Sequence, residues 1–216
     1  MFAYNRVSSK STKTPWIMAT AVKTSTRANV PGLSVSDLSA FLGFGDFFSP
    51  IEQAMLQSFL DASIEMLSKY TGYEPSDINY TIKYDRHPMA LDYTGGISGS
   101  GEYSEWINIP RRPVKSVNEI RISDDVITDY ETDTESNPAR VGLISYSSSY
   151  NYPSFSEIEI DITCGPTGDV NPAFIVAALL LASYIYNNRG CAMNNAISDS
   201  GAAAMIRPLK VAIGGL

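Results

Sequence analysis

Histidine and cysteine, on which most metal sites and many catalytic sites depend, are scarce in this chain of 216 residues. His87 is the only histidine, and Cys164 and Cys191 are the only cysteines and lack CxxC spacing. One histidine excludes a multi-histidine metal site, and two separated cysteines predict neither a zinc site nor a disulfide framework. Ser-His-acid catalysis would have to use His87, yet no G-x-S-x-G elbow accompanies it. We therefore expect no enzymatic activity, no metal and no cofactor.

Two other patterns lack the residues that would make them ligand sites. The segment from Gly95 to Gly101 is rich in glycine, but it has no phosphate-loop lysine and precedes no helix pattern, so we interpret it as a hairpin tip. The densest group of acidic residues runs from Asp124 to Glu135. Counted from Asp129, Thr134 stands where a calcium loop has glycine and Arg140 where it has glutamate, which favours a solvated acidic loop.

A hydrophobic run long enough for a membrane is also missing. The most apolar segment extends from Asn171 to Arg189 and reads NPAFIVAALLLASYIYNNR. A membrane helix needs about 18 to 20 apolar residues, and this run is interrupted at Ser183. The first ten residues, Met1 to Lys10, lack the apolar centre of a secretory signal. We predict no membrane association and a protein made in the cytoplasm.

The apolar segment is predicted to be a core helix with defined ends. Asn171 is a good N-cap, Pro172 suits the first helical turn and Gly190 suits the C-cap. From Ala173 to Ala182 there is no polar side chain. Because a helix that is apolar all round must be buried on every side, we expect neighbours around it, within its own domain or from copies of the same chain.

Charge is distributed unevenly along the chain. From Met1 to Gly32 there are five basic residues and no acidic one, which leaves eleven basic against twenty-three acidic residues and a net charge of −12 for the remainder. Since phosphate affinity comes mainly from lysine and arginine, this balance argues against tight, specific nucleic-acid binding by the body. DNA passing nearby is compatible with it.

Two helices are predicted before the middle of the chain. Ser34 and Asp37 form a capping pattern for a short helix that Gly43 ends. A longer helix follows, with capping residues at its start, a glycine at its end and an apolar face that we expect to be buried. Its capping residues are Ser49, Pro50 and Glu52, its end is Gly72, and its predicted buried face is Met55, Phe59, Ala62, Met66 and Tyr70.

Between Asp77 and Cys164 the apolar period changes to two, which predicts half-buried antiparallel strands. In the last of them Glu157, Glu159 and Asp161 share one face, which we expect to be solvated. The alternating apolar residues are Tyr80, Ile82 and Tyr84, then Ile120 and Ile122, then Val141 and Leu143, and finally Ile158, Ile160 and Ile162.

This order of elements predicts an α+β fold, in which a small helical bundle carries an inserted antiparallel β segment and extended terminal arms. The predicted domains are an N-terminal arm at 1–32, a helical bundle formed by 33–76 and 165–207, a β domain at 77–164, and a C-terminal tail at 208–216. The arm is rich in Ser, Thr, Lys and Arg and offers little to bury besides the residues around Trp16.

Four segments, in their order, resemble the head-tail connector (adaptor, or head completion) proteins of tailed bacteriophages. The helix pair from Ser34 to Tyr73 ends in Tyr-Thr-Gly-Tyr and is similar to the opening helices of that family. A strand, proline turn and strand follow in INIPRRPVKSVNEIRI, from Ile107 to Ile122. The apolar helix ends in Tyr-Asn-Asn-Arg at Arg189, and the tail reads AMIRPLKV from Ala204 to Val211. Together these segments cover about half of the chain.

The resemblance implies a structural protein of the virion neck that is assembled in the host cytoplasm. Its subunits would form a ring, usually twelvefold, between the portal and the tail or stopper proteins, with DNA passing through without specific binding. An acidic body suits such a channel, because like charges discourage contacts with phosphate. The tail, and Trp16 in the arm, are the expected partner-binding parts; the tail residues are Met205, Ile206, Arg207, Pro208 and Leu209.

A different class of function stays open at this point. The run from Tyr146 to Tyr152 is rich in tyrosine and serine, and such loops occur where proteins contact carbohydrate. A tail-associated or receptor-binding module, with Tyr150 and Tyr152 at its site, is therefore the alternative interpretation.

Overall fold

The computed structural model describes residues 19–44, 49–84, 105–143, 157–189 and 195–211. Within these residues most strands lie between an N-terminal and a C-terminal group of helices, which confirms the α+β class. In chain order the elements are β1 (Ala19–Lys23), α1 (Val35–Leu42), α2 (Pro50–Thr71), β2 (Ile78–Tyr84), β3 (Glu105–Asn108), β4 (Val114–Ile122), β5 (Asp125–Ile127), β6 (Tyr130–Asp133), β7 (Arg140–Leu143), β8 (Ile158–Cys164), α3 (Pro172–Asn187), α4 (Ala196–Asp199), α5 (Ala202–Ile206) and a 3-10 turn (Arg207–Leu209).

The helix ends lie where the sequence predicts them. At the start of α2 the Ser49 side chain accepts a hydrogen bond from the Glu52 N–H, and the Glu52 carboxylate accepts one from the Ser49 N–H. The helix ends at Gly72 in the left-handed conformation, and α1 has the same arrangement between Ser34 and Gly43. For α3 the Asn171 side chain caps the first turn; the predicted end residue Gly190 lies outside the described residues.

The described strands form two antiparallel sheets around one apolar layer. The larger sheet has the order β1-β2-β8-β4-β5, and the smaller has the order β3-β7-β6. In the register of β2 and β8, Tyr80, Ile82 and Tyr84 stand opposite Ile162, Ile160 and Ile158. These six residues are buried, as their period of two predicts.

Buried apolar side chains separate into two clusters. The bundle core is formed by α1, α2, α3 and α5 and includes Leu60, Phe174 and Ile206. The sheet core lies between the two sheets and includes Ile82 and Ile160. β1, although it lies in the predicted N-terminal arm, is the edge strand of the larger sheet. The described residues contain no helix long and apolar enough to cross a membrane.

The predicted buried face of α2 is wrong. Ala62 and Tyr70 are exposed, and Met55, Phe59 and Met66 are only half-buried. The buried stripe is instead Leu56, Leu60, Ser63, Ile64, Leu67, Ser68 and Thr71. This helix has two apolar stripes. Each residue of one stripe is next in sequence to a residue of the other, so the stripes are about 100° apart around the helix axis. The stripe that contains the aliphatic leucines and Ile64 faces the core, and the other flanks it.

The prediction was that α3 has neighbours on every side, from its own domain or from copies of the chain, and a single chain supplies them on one side. Its buried residues, Phe174, Ala177, Ala178, Leu181, Ala182 and Ile185, occupy one side of the helix. On the opposite side Val176 is 38% exposed and Leu180 is half-buried. The chain alone therefore leaves one side of this uncharged helix in contact with solvent.

The acidic face of β8 is not simply solvated. Glu159 is paired with Lys83 of β2, and the Asp161 carboxylate lies 2.6 Å from an Arg121 guanidinium nitrogen of β4. Glu159 and Asp161 are consequently half-buried, whereas Glu157 is exposed. β8 lies between β2 and β4, so the antiparallel register places basic side chains beside these two carboxylates.

Candidate partner-binding surface

The predicted tail site is the turn formed by α5 and the 3-10 residues that follow it. Met205 is 39% exposed, and Arg207 and Pro208 are exposed as well. Ile206 and Leu209, in contrast, are buried in the bundle core of the same chain. Of the five predicted partner-binding residues of the tail, Met205, Arg207 and Pro208 are therefore exposed, because the helical geometry turns Ile206 and Leu209 inward.

Arg112 fixes this turn to the rest of the chain. Its guanidinium donates from Nε to the Leu209 carbonyl and from Nη2 to the Pro208 carbonyl, both at 2.9 Å. A planar guanidinium suits two neighbouring acceptors better than an ammonium group does. Burial lowers the pKa of Arg112 from its usual value, since the charged form has lost part of its water.

The end of α2 provides the second attachment. The Val211 N–H donates to the Thr71 carbonyl at 2.8 Å, and the Val211 side chain is buried against Gly72. A Cβ at Gly72 would lie 2.7 Å from Val211 Cγ2 and 3.0 Å from the Pro110 carbonyl oxygen, and the φ of this residue is 74°. Only glycine combines this left-handed conformation with so close an approach.

The four segments of the sequence resemblance meet around Tyr73. The Arg112 N–H donates to the Gly72 carbonyl at 2.9 Å, which joins the proline turn to the end of α2. The Tyr73 hydroxyl accepts from the Asn171 N–H at 3.3 Å, and its ring lies 5.4 Å from that of Phe174 at the start of α3. With the tail held by Arg112, the segments that are far apart in sequence form one junction.

A buried carboxylate, Glu74, lies at the centre of this junction. Its side chain is fully buried, and its oxygens lie 2.6 Å from Arg27 Nη2 and 3.3 Å from Arg111 Nη1. The Tyr80 hydroxyl donates to it at 2.6 Å. Arg111 also donates to the Ser68 carbonyl at 3.2 Å. One carboxylate thus connects the segment after β1, the end of α2, the proline turn and β2.

The electrostatics of this cluster indicate a structural role. Burial, followed by the negative charge of Glu74, raises the pKa of the Tyr80 hydroxyl, so the hydroxyl stays protonated and donates. The carboxylate is matched by two guanidinium groups and a hydroxyl, which satisfies its oxygens. Sequence reasoning missed Glu74 because its two arginine partners, Arg27 and Arg111, lie 47 and 37 residues away along the chain.

A cleft of about 930 Å³ lies between the segment before α1 and the middle of α2. Lys23 and Arg27 line it and are paired with Glu65, which also contacts Lys69. Lys23 and Arg27 in this cleft therefore already have a carboxylate partner within the chain. The described residues contain no group of three metal-ligating side chains.

Several residues singled out in the sequence lie outside the described residues: Trp16, His87, the glycines from Gly95 to Gly101, and Tyr150 and Tyr152. In the acidic group, Asp133 accepts hydrogen bonds from Ser136 and Arg140, which lower its pKa. Asp124, Asp125, Asp129 and Glu131 are exposed.

No protein-family model matches this chain, and no curated protein has a significant match to its sequence. Its structure is similar to chains of gene transfer agent (GTA) particles. One is from the neck of an empty GTA particle computed with C6 symmetry, at 20% identity and a TM-score of 0.62, covering 93% of this chain and 98% of that one. Another is from the virion of the native GTA particle, at 18% identity and a TM-score of 0.60, covering 91% and 97%.

A third similar chain comes from the neck of the native GTA particle computed with C12 symmetry, at 18% identity and a TM-score of 0.59 over 93% and 98% of the two chains. Identities this low establish the fold and nothing finer. The chain shares the fold of these GTA chains over nearly its whole length, and the resemblance found in the sequence is confirmed at the level of the fold.

Proposed function

We propose that this protein is a structural, non-enzymatic component of the neck of a tailed phage or phage-like virion. It would form an adaptor ring between the portal and the tail or stopper proteins. The observation that carries the proposal is the similarity to a GTA neck chain over 93% of this chain and 98% of the matched chain. The junction at Tyr73, where the four resembling segments meet, supports it independently.

A ring of twelve copies is the proposed assembly. The similar structures were computed with C6 and C12 symmetry, and a twelvefold ring is compatible with both. Head-to-tail contacts between identical subunits close into a ring when the rotation between them is suitable. In the proposed ring, the exposed part of the tail turn, Met205, Arg207 and Pro208, contacts a neighbouring protein, and Trp16 in the arm does so as well.

The proposed channel for DNA is supported by the charges of the chain. The part of the chain after Gly32 has a net charge of −12. On the exposed side of the larger sheet Lys83, Lys115 and Arg121 each lie within ion-pair distance of a carboxylate. Cations that are already paired offer little to phosphate groups, so DNA would pass without being held.

Size-exclusion chromatography with light scattering tests the proposal, on the protein alone and mixed with a purified portal ring. A ring-sized species in either sample is the expected result, since assembly can depend on the portal as a template. A protein that stays monomeric and never binds the portal, at any concentration, would contradict the proposed function.

A further inference from the structure

The side of α3 that the chain leaves open is uncharged along its whole length. This open α3 face consists of residues spaced three or four apart: Pro172, Val176, Leu180, Ser183 and Asn187. Val176 is 38% exposed, Leu180 is half-buried and does not belong to the bundle core, and no residue from Pro172 to Asn187 carries a charge. A helix on the surface of a soluble subunit usually presents charged side chains to water.

We propose that the open α3 face is covered by a second copy of this chain, so that it forms the contact between neighbouring subunits of the ring. The chain has a net charge of −7, so two copies repel each other wherever their acidic surfaces meet. The open α3 face lets them approach without placing one carboxylate against another, and the centres of protein interfaces are depleted of charge in the same way.

This inference rests on the proposed function and adds the surface that closes the ring. In a cyclic ring the contact is between two different surfaces, so the open α3 face of one subunit meets another part of its neighbour. The burial of Phe174, Leu181 and Ile185 on the inner side holds the helix in place, so the outer side is presented in a fixed geometry. Assembly therefore needs no rearrangement of the bundle core.

Thiol labelling of Val176→Cys measures directly whether a second copy covers this face. The matched control is Val126→Cys on β5, which replaces an exposed valine on the β side of the chain, 56% exposed. Cys164 is buried, and peptide mapping by mass spectrometry distinguishes position 176 from Cys191. Labelling is compared between dilute monomer and assembled ring, formed alone or on a portal ring.

We expect position 176 to react rapidly in the monomer and at least about tenfold more slowly in the ring, because the centre of an interface excludes water. Position 126 should react at nearly the same rate in both. Val176→Glu should prevent ring formation, whereas Val126→Glu should still assemble, with unchanged circular dichroism for both monomers.

Each other result overturns the inference. If position 176 is protected in the dilute monomer, a segment of the same chain covers the face. If rings form and position 176 stays reactive, or if Val176→Glu still assembles, another surface makes the contact and the proposed function stands. If positions 176 and 126 are protected equally, the sample has aggregated without a specific contact. If the unmodified chain forms no ring alone or with the portal, the proposed function fails as well.

Discussion

The single residue Glu74 holds several segments of the junction together. It is the fully buried acid that two arginines and a tyrosine surround, and these partners come from segments on either side of α1 and α2. A buried ion pair gives little net stability compared with apolar packing, but removing one partner leaves the others without a counter-charge. The cluster therefore makes the relative position of its segments specific.

Glu74→Ala should lower the free energy of unfolding by about 3 to 5 kcal/mol, because the largely buried Arg111 would lose its carboxylate partner and Arg27 would keep only Glu65. Urea unfolding followed by circular dichroism measures this. Glu135→Ala, which removes an exposed carboxylate, is the control and should change it by no more than about 0.5 kcal/mol. A loss at Glu74 as small as that of the control would show that the cluster is not a structural connection.

Arg112→Lys should loosen the tail turn without unfolding the chain. Lysine lacks the planar pair of donors that reach the Pro208 and Leu209 carbonyls, and a hydrogen bond from a charged group contributes about 1.5 to 3 kcal/mol. Hydrogen exchange of the Val211 amide, bonded to the Thr71 carbonyl, should become about tenfold faster or more. Arg207→Lys, on the exposed side of the turn, should leave that rate unchanged; equal rates in both variants would contradict the role of Arg112.

At the residue scale, the sequence predicted those features that depend on near neighbours. Ser49, Glu52 and Gly72 mark the ends of α2 because their partners lie within a few residues. The burial of Ile206 and Leu209 and the pairing of Glu74 were not predicted, because both depend on which segments meet in space.

At the scale of elements, α2 illustrates the same limit. Its length and ends could be predicted, but its buried side depends on how α1 and α3 approach it. Both of its apolar stripes have helical spacing, so periodicity alone cannot choose between them. The stripe with Leu56, Leu60 and Leu67 is buried, and the one with Met55 and Phe59 lies at the edge of the core.

Substitutions on the two apolar stripes of α2 should lower the free energy of unfolding by different amounts. Leu60→Ala should lower the free energy of unfolding by about 2 to 5 kcal/mol through lost burial and a cavity. Tyr70→Ala, from the predicted face, should lower it by about 1 kcal/mol or less, since the ring is 43% exposed and makes a cation–π contact with Lys210 at 5.0 Å. Urea unfolding of both variants measures the two losses. Equal losses of stability would contradict the assignment of the buried face to the stripe that contains Leu60.

The capping box of α2 should make the stability of the chain depend on pH. Hydrogen bonds from the Ser49 N–H and hydroxyl lower the pKa of Glu52 below its ordinary value of 4.5. A carboxyl with a lowered folded pKa stabilises the fold above its unfolded pKa, and this contribution is lost as the pH falls through the folded value. Glu52→Gln should therefore have a lower urea midpoint than the unmodified chain at neutral pH, and the difference should shrink in acid. A difference that is the same at both pH values would exclude the ionised carboxylate as its cause.

The surroundings of the apolar helix α3 depend on the whole molecule as well as on its own sequence. Sequence reasoning required partners on all of its sides and left open whether the domain or copies of the chain supply them. The bundle core supplies one side, through Phe174 and Leu181 among others, and the open α3 face is the remainder. We propose above that this remaining face contacts a second copy of the chain.

At the scale of the whole molecule, fold and charge are both compatible with the proposed ring. The chain matches a GTA neck chain over nearly the full length of both, and its acidic body would discourage contacts with DNA phosphates in the proposed channel. Composition alone excluded a multi-histidine metal site, and the order of four segments pointed to the neck. The number of copies in the ring and the contacts between them depend on how surfaces of different chains fit together. The residue pattern of one chain does not show this.

Electron microscopy of this protein mixed with purified portal rings tests the central claim most directly. The account predicts a closed ring of twelve copies seated on the portal, with an axial channel through both. Portal rings that remain bare while the protein stays monomeric at every concentration would contradict it.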